Sequence, residues 1–86
     1  MLKSVETLWN SWADKKVGNH SKAIYSNCEA YMYHGNRICL VRHEEKTVYL
    51  NNCGWTTVST NRAMNDYKRL ATATYPHYKI KDNREK

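Results

Sequence analysis

The chain has no phenylalanine, a single proline and only three glycines among its 86 residues. It is also short of acid, with 8 Asp and Glu against 14 Lys and Arg, so its formal charge is +6. No apolar run is long enough for a transmembrane helix. The opening residues, Met1-Leu2-Lys3-Ser4-Val5-Glu6, carry no apolar signal core, so no secretory signal is expected. An odd count of three cysteines then points to reduced thiols and a cytoplasmic setting. No internal repeat or low-complexity segment is present. What remains is a single domain whose apolar mass comes largely from seven tyrosines and three tryptophans. A chain of this length buries only about 60–65% of the surface it exposes unfolded, so its stability is expected to be marginal.

Periodicity divides the chain. In the segment from Ser4 to Lys16, Val5, Leu8, Trp9, Trp12 and Ala13 recur at helical spacing, with Ser4 as N-cap and Gly18 as the stop. From Ser21 to Asn51 the period falls to two. Lys22–Ser26, Glu29–Tyr33, Arg37–Arg42 and Lys46–Leu50 read as strands, with hairpin turns at Gly35-Asn36 and Glu44-Glu45. Gly54 precedes a short extended stretch, Trp55–Val58. A second helix is expected over Asn61 to Thr72, capped by Ser59 or Thr60, with Ala63, Met64, Tyr67, Leu70 and Ala71 inward. Tyr78–Lys81 alternates again and suits an edge strand, leaving 82–86 as a charged tail. The expected fold is α+β: one domain over residues 1–81, a three- to four-stranded antiparallel sheet, and a helix from each half of the chain.

The turns imply a register. A loop at Gly35-Asn36 sets Tyr33 opposite Ile38, Tyr31 opposite Leu40 and Glu29 opposite Arg42. A loop at Glu44-Glu45 sets Val41 opposite Val48 and Cys39 opposite Leu50. One face then gathers Ala30, Met32, Cys39, Val41, Val48 and Leu50. The other gathers Tyr31, Tyr33, Ile38, Leu40 and Tyr49, bordered by Glu29 and Arg42. This second surface has two readings: core beneath the first helix, or a tyrosine platform for a partner. A slip of one residue would exchange the two faces.

Catalytic chemistry finds little footing. The three cysteines and four histidines form no paired zinc motif. Cys53, beside Gly54, is the one loop thiol suited to nucleophilic work, and no base is placed beside it by spacing. No phosphate-binding glycine loop or triad order is present. Lys15, Lys16, Lys22, Arg37, Arg42, Arg62, Lys68, Arg69, Lys79 and Lys81 are interleaved with Tyr and Trp, a mixture that suits phosphate contact and base stacking. Arg62, placed near a helix start, opposes the helix dipole and is best explained by an anion beside it.

The segments Gly18–Ser21, Tyr31–Ile38, Val48–Leu50 and Cys53–Arg62 resemble a family of small uncharacterised bacteriophage proteins. These carry a tyrosine-glycine hairpin followed by a Gly-Trp-x-Thr-x-Ser/Thr-Thr turn into a basic helix. The resemblance spans about residues 18–70 and transfers no catalytic residue. It implies a phage accessory protein that binds a host protein or ribonucleoprotein, of the kind that includes anti-CRISPR inhibitors. The expectation is therefore a non-catalytic binder, monomeric or dimeric, without cofactor, metal or membrane. Its expected contacts are Tyr31, Tyr33, Arg37, Arg42 and Tyr49, with Arg62 and Arg69 separately. The alternative is a basic nucleic-acid-binding domain that uses the same tyrosines and arginines.

Overall fold

In the computed structural model, residues 1–52, 54 and 57–83 are described. The elements are α1 (Lys3–Trp9), β1 (Lys15–Val17), β2 (His20–Ile24), β3 (Cys28–Tyr33), β4 (Asn36–Arg42), β5 (Thr47–Leu50), α2 (Val58–Thr74) and β6 (Lys79–Asp82). The six strands form one sheet in chain order. Strands β1 to β5 pair antiparallel, and β6 joins β5 in parallel. A parallel pair requires a crossover, which α2 supplies. The class is α+β as expected, but the sheet is larger and mixed rather than three or four antiparallel strands. The expectations for Cys53, for Trp55 and for 84–86 lie outside the described residues.

The first helix is shorter than its apolar pattern suggests. It ends after Trp9, with Asn10 as its C-cap. The Ser11 hydroxyl then donates to the Ala13 carbonyl at 2.7 Å and accepts from the Ala13 amide at 3.3 Å. Such local bonding competes with helix propagation. Trp12, expected on the buried helix face, is 95% exposed, and Lys15–Val17 forms the edge strand that the helical reading had absorbed. A helix of seven residues has little stability alone, and tertiary bonds hold both ends of α1. The Leu2 amide donates to Asp66 Oδ2 at 2.8 Å. Lys22 Nζ donates to the carbonyls of Ser11 and Trp9 at 2.6 and 3.2 Å.

Two features correct the register of the β3–β4 hairpin. The loop residues are His34 and Gly35, with φ of 51° and 78°, rather than Gly35 and Asn36. A bulge then interrupts the ladder: Met32 lies opposite Arg37 and Tyr31 opposite Cys39, leaving Ile38 as the extra residue. The pairing from Tyr31 outward is thereby one residue off the expected one, which exchanges faces. The β4–β5 register is as expected, with Val41 opposite Val48 and Cys39 opposite Leu50.

Both helices cover the same side of the sheet. There Val5 and Leu8 of α1 and Ala63, Met64, Tyr67 and Ala71 of α2 enclose Tyr31, Ile38, Cys39, Val41, Val48 and Leu50. The small residues Ala63 and Ala71 let α2 approach the sheet closely. The second helix starts at Val58, earlier than expected, because Thr57 caps it, its hydroxyl accepting from the Thr60 amide at 3.3 Å. β6 runs through Asp82, one residue into the expected tail, and Lys68 of α2 reaches Asp82 Oδ2 at 3.6 Å.

Candidate functional site

The tyrosines expected to meet a partner divide between the two sides of the sheet. Tyr31 is 1% exposed. Its ring stacks on Trp9 at 5.3 Å and packs against Tyr67 at 4.6 Å, and burial pushes its phenol above the ordinary range. Tyr33 is half-buried on the same side, stacked on His20 at 4.4 Å, with its hydroxyl donating to Ser59 Oγ at 3.3 Å. His20 itself is held below its ordinary pKa by burial and by neighbouring His34. Neither tyrosine lies on the face of Arg37, Arg42 and Tyr49. Tyr31 is core and Tyr33 is a support for the start of α2.

Arg37, Arg42 and Tyr49 stand on the opposite face, which neither helix covers among the described residues. Strand alternation and the observed pairing define three rows across it. One contains Lys16, Ser21, Met32 and Arg37. The middle row contains Ala23, Ala30, Leu40, Tyr49 and Lys81. The third contains Cys28, Arg42, Thr47 and Lys79. Five strand positions on this face are cationic and none is acidic. Two shallow hollows open on it. One is lined by Arg37, Leu40, Arg42, Tyr49 and Asn51 among others, the other by Tyr25, Cys28, Arg37, Leu40, Arg42 and the turn residue Glu44. Lys81 lies over the Tyr49 ring, its Nζ 5.6 Å from the centroid.

Arg62 and Arg69 are exposed on α2, away from these rows. They share one side of the helix about 10 Å apart along its axis. Because α2 begins at Val58, Arg62 is its fifth residue, beyond the first turn where the dipole acts most strongly. The case for an anion beside Arg62 therefore loses its premise. Lys16, Lys79 and Lys81 count among the basic residues suited to phosphate contact, and Leu40 among the platform residues, but spacing does not bring them together with Arg37, Arg42 and Tyr49. The alternation in Tyr78–Lys81 was the available signal, but it did not reveal which strand the segment joins.

The helix side holds a polar network of its own. Glu29 Oε1 lies 3.3 Å from Lys22 Nζ, and its Oε2 lies 2.8 Å from His43 Nε2. His43 Nδ1 is 2.9 Å from the Tyr78 hydroxyl. Burial, aided by Glu29, pushes the Tyr75 phenol up to about 12. Burial also raises Cys39 above the ordinary thiol range, away from the thiolate that reactivity requires. Among the described residues no group of three His, Cys, Asp or Glu side chains is arranged to hold a metal, and no helix is long and apolar enough to cross a membrane.

Comparison with known protein families, curated proteins and solved structures finds no match to this chain.

Proposed function

We propose that this chain is a non-catalytic binding domain that holds a nucleic-acid strand, free or within a ribonucleoprotein, against the open face of its sheet. The observation that carries this reading is the grouping of Lys16, Arg37, Arg42, Lys79 and Lys81 on one uncovered face whose strands contribute no carboxylate. Phosphates supply most of the affinity in such contacts, and each neutralised phosphate releases counterions. The middle row offers Leu40 and Tyr49 as the apolar surface between two cationic borders, which suits bases flanked by phosphates. A purely protein partner would call for buried-anchor aromatics. Two of the three tyrosines expected to serve are instead committed to the helix side.

Fluorescence anisotropy with labelled single- and double-stranded DNA and RNA, between about 50 and 300 mM salt, tests the reading. Micromolar or tighter affinity at physiological salt is expected, with a steep salt dependence. Arg37→Ala, Arg42→Ala and Lys81→Ala should each reduce the salt slope by about one, whereas Arg62→Ala and Arg69→Ala should leave it unchanged. Equal effects from the α2 arginines, or no binding at physiological salt, overturn the proposal. The search would then turn to a host protein, by pull-down from nuclease-treated bacterial lysate.

A further inference from the structure

Two carboxylates border the cationic face, both from the turn between β4 and β5: Glu44 lines a hollow with Arg37 and Arg42, and Glu45 bonds directly to the face. Glu45, between β4 and β5, places Oε2 3.0 Å from Arg42 Nε. Its Oε1 accepts the hydroxyl proton of Tyr49. Arg42 and Tyr49 come from adjacent strands and lie diagonally on one face, within reach of a common ligand. A guanidinium N–H and a phenolic O–H thus converge on two oxygens of a single anion. That is the donor arrangement a phosphate diester also requires.

Resting on the nucleic-acid reading above, we infer that Arg42 and Tyr49 form a phosphate-gripping subsite, occupied in the free protein by Glu45 as an internal competitor that an incoming phosphate displaces. The carboxylate is held loosely enough for exchange. The side chains of Arg42 and Glu45 are 47% and 39% exposed, where an ion pair is worth little and is screened by salt. The backbone of the turn is fixed separately, because Thr47 Oγ1 donates to the Glu45 carbonyl at 3.0 Å. The side chain can therefore swing away while the turn stays in place. Glu29 makes the contrast: 19% exposed and bonded to Lys22 and His43, it is part of the packed side. The bond to Glu45 is also the leading cause of a raised Tyr49 pKa, consistent with a phenol that stays a proton donor.

The test is anisotropy of a fluorescein-labelled oligothymidylate with the full chain, comparing Glu45→Gln with Glu44→Gln. Both variants remove one charge from the same turn, but only the first removes the charge that is bonded to Arg42 and Tyr49. Glu45→Gln should tighten binding roughly two- to fivefold, the range an exposed ion pair can withhold, and steepen the salt slope by about one. Glu44→Gln should tighten it less than about twofold, and Arg42→Ala added to Glu45→Gln should cancel the gain. Equal gains from the two glutamines, or persistence of the gain without Arg42, would reduce the effect to net charge and overturn the inference. A wild-type protein that binds while Glu45→Gln leaves affinity unchanged overturns the inference alone. Failure of both proteins to bind this probe and the DNA and RNA probes named above at physiological salt overturns the nucleic-acid reading with it. Unchanged thermal melting of Glu45→Gln would show that the fold is intact.

Discussion

Replacing Lys22 by Met would keep the length and apolar body of the side chain and delete only its ammonium. That group sits on a side chain 1% exposed and has several partners. It donates to the Ser11 carbonyl at 2.6 Å and the Trp9 carbonyl at 3.2 Å, lies 3.3 Å from Glu29 Oε1, and sits 5.1 Å from the Tyr31 ring centroid. Its loss uncaps the C-terminal end of α1 and removes the cation nearest a partly buried carboxylate. Breaking a buried ion pair costs about 3–5 kcal/mol. Glu29 keeps His43 as a partner at 2.8 Å, which favours the lower end, about 3 kcal/mol. Against a total stability of about 5–15 kcal/mol this is a large fraction. It corresponds to a fall in melting temperature of about 12–24 °C. Urea and thermal denaturation followed by circular dichroism would measure it, and hydrogen exchange should show lost protection in α1 before the sheet. The mechanism adds a sharper requirement. Glu29→Gln in the Lys22→Met background removes the uncompensated charge, so the double variant should be more stable than the sum of the two losses by at least about 1 kcal/mol. A loss below about 1 kcal/mol for Lys22→Met, or strict additivity of the pair, would refute this account of α1.

Thr57→Ala removes the hydroxyl that accepts from the Thr60 amide, and should cost about 1 kcal/mol, or about 4–8 °C in melting temperature. Ser59→Ala should cost less in the same melt, because its hydroxyl caps no backbone amide among the described residues and the bond it accepts from Tyr33 is long and exposed. At high pH the folded state should fail through its buried phenols. Tyr75 is pushed from 10.0 to about 12, first by burial and then by Glu29, and burial raises Tyr31 and Tyr67 further. The folded form therefore holds these protons more tightly than the unfolded chain. Their contribution is complete below pH 10; that of Tyr75 is lost as pH rises from 10 through about 12, and that of Tyr31 and Tyr67 goes on falling above it. Phenolate absorbance from these residues should appear together with loss of the circular dichroism signal, and titration through pH 12 with an intact signal would refute the argument.

Local pattern was enough for some elements and insufficient for the choice of face. The β4–β5 register was legible because two apolar runs flank a polar turn, and any loop centred on Glu44-Glu45 sets Val41 opposite Val48. The α2 interior was legible from its 3.6-residue spacing. The β3–β4 pairing was not. His34 takes the left-handed conformation beside Gly35, a role that Asn36 fills equally well on residue type. The bulge at Ile38 leaves no mark on a run that is apolar on both sides. Together they carried Tyr31 and Tyr33 to the helix side, and with them the expected tyrosine platform. Trp12 failed differently. It continues the helical apolar spacing faithfully, yet the Ser11 turn ends α1 before it.

The net charge of +6 is spread along the sequence with no basic run, but folding sorts it. On the helix side three carboxylates are engaged: Glu29 with Lys22 and His43, Asp66 with the Leu2 amide, and Asp82 with Lys68. The open face receives Lys16, Arg37, Arg42, Lys79 and Lys81 because each falls on the outward position of its strand. Two of the five lie on β6, whose parallel docking beside β5 brings Lys81 against Tyr49 and Lys79 beside Thr47. Without that crossover the face would hold Arg37, Arg42 and Lys16 around Leu40, a much weaker attractor for a polyanion. The anion-binding character of the face is thus a property of the β5–α2–β6 unit rather than of composition. Thr57, which caps α2, and Lys68, which ties α2 to the end of β6, support that face although neither lies on it.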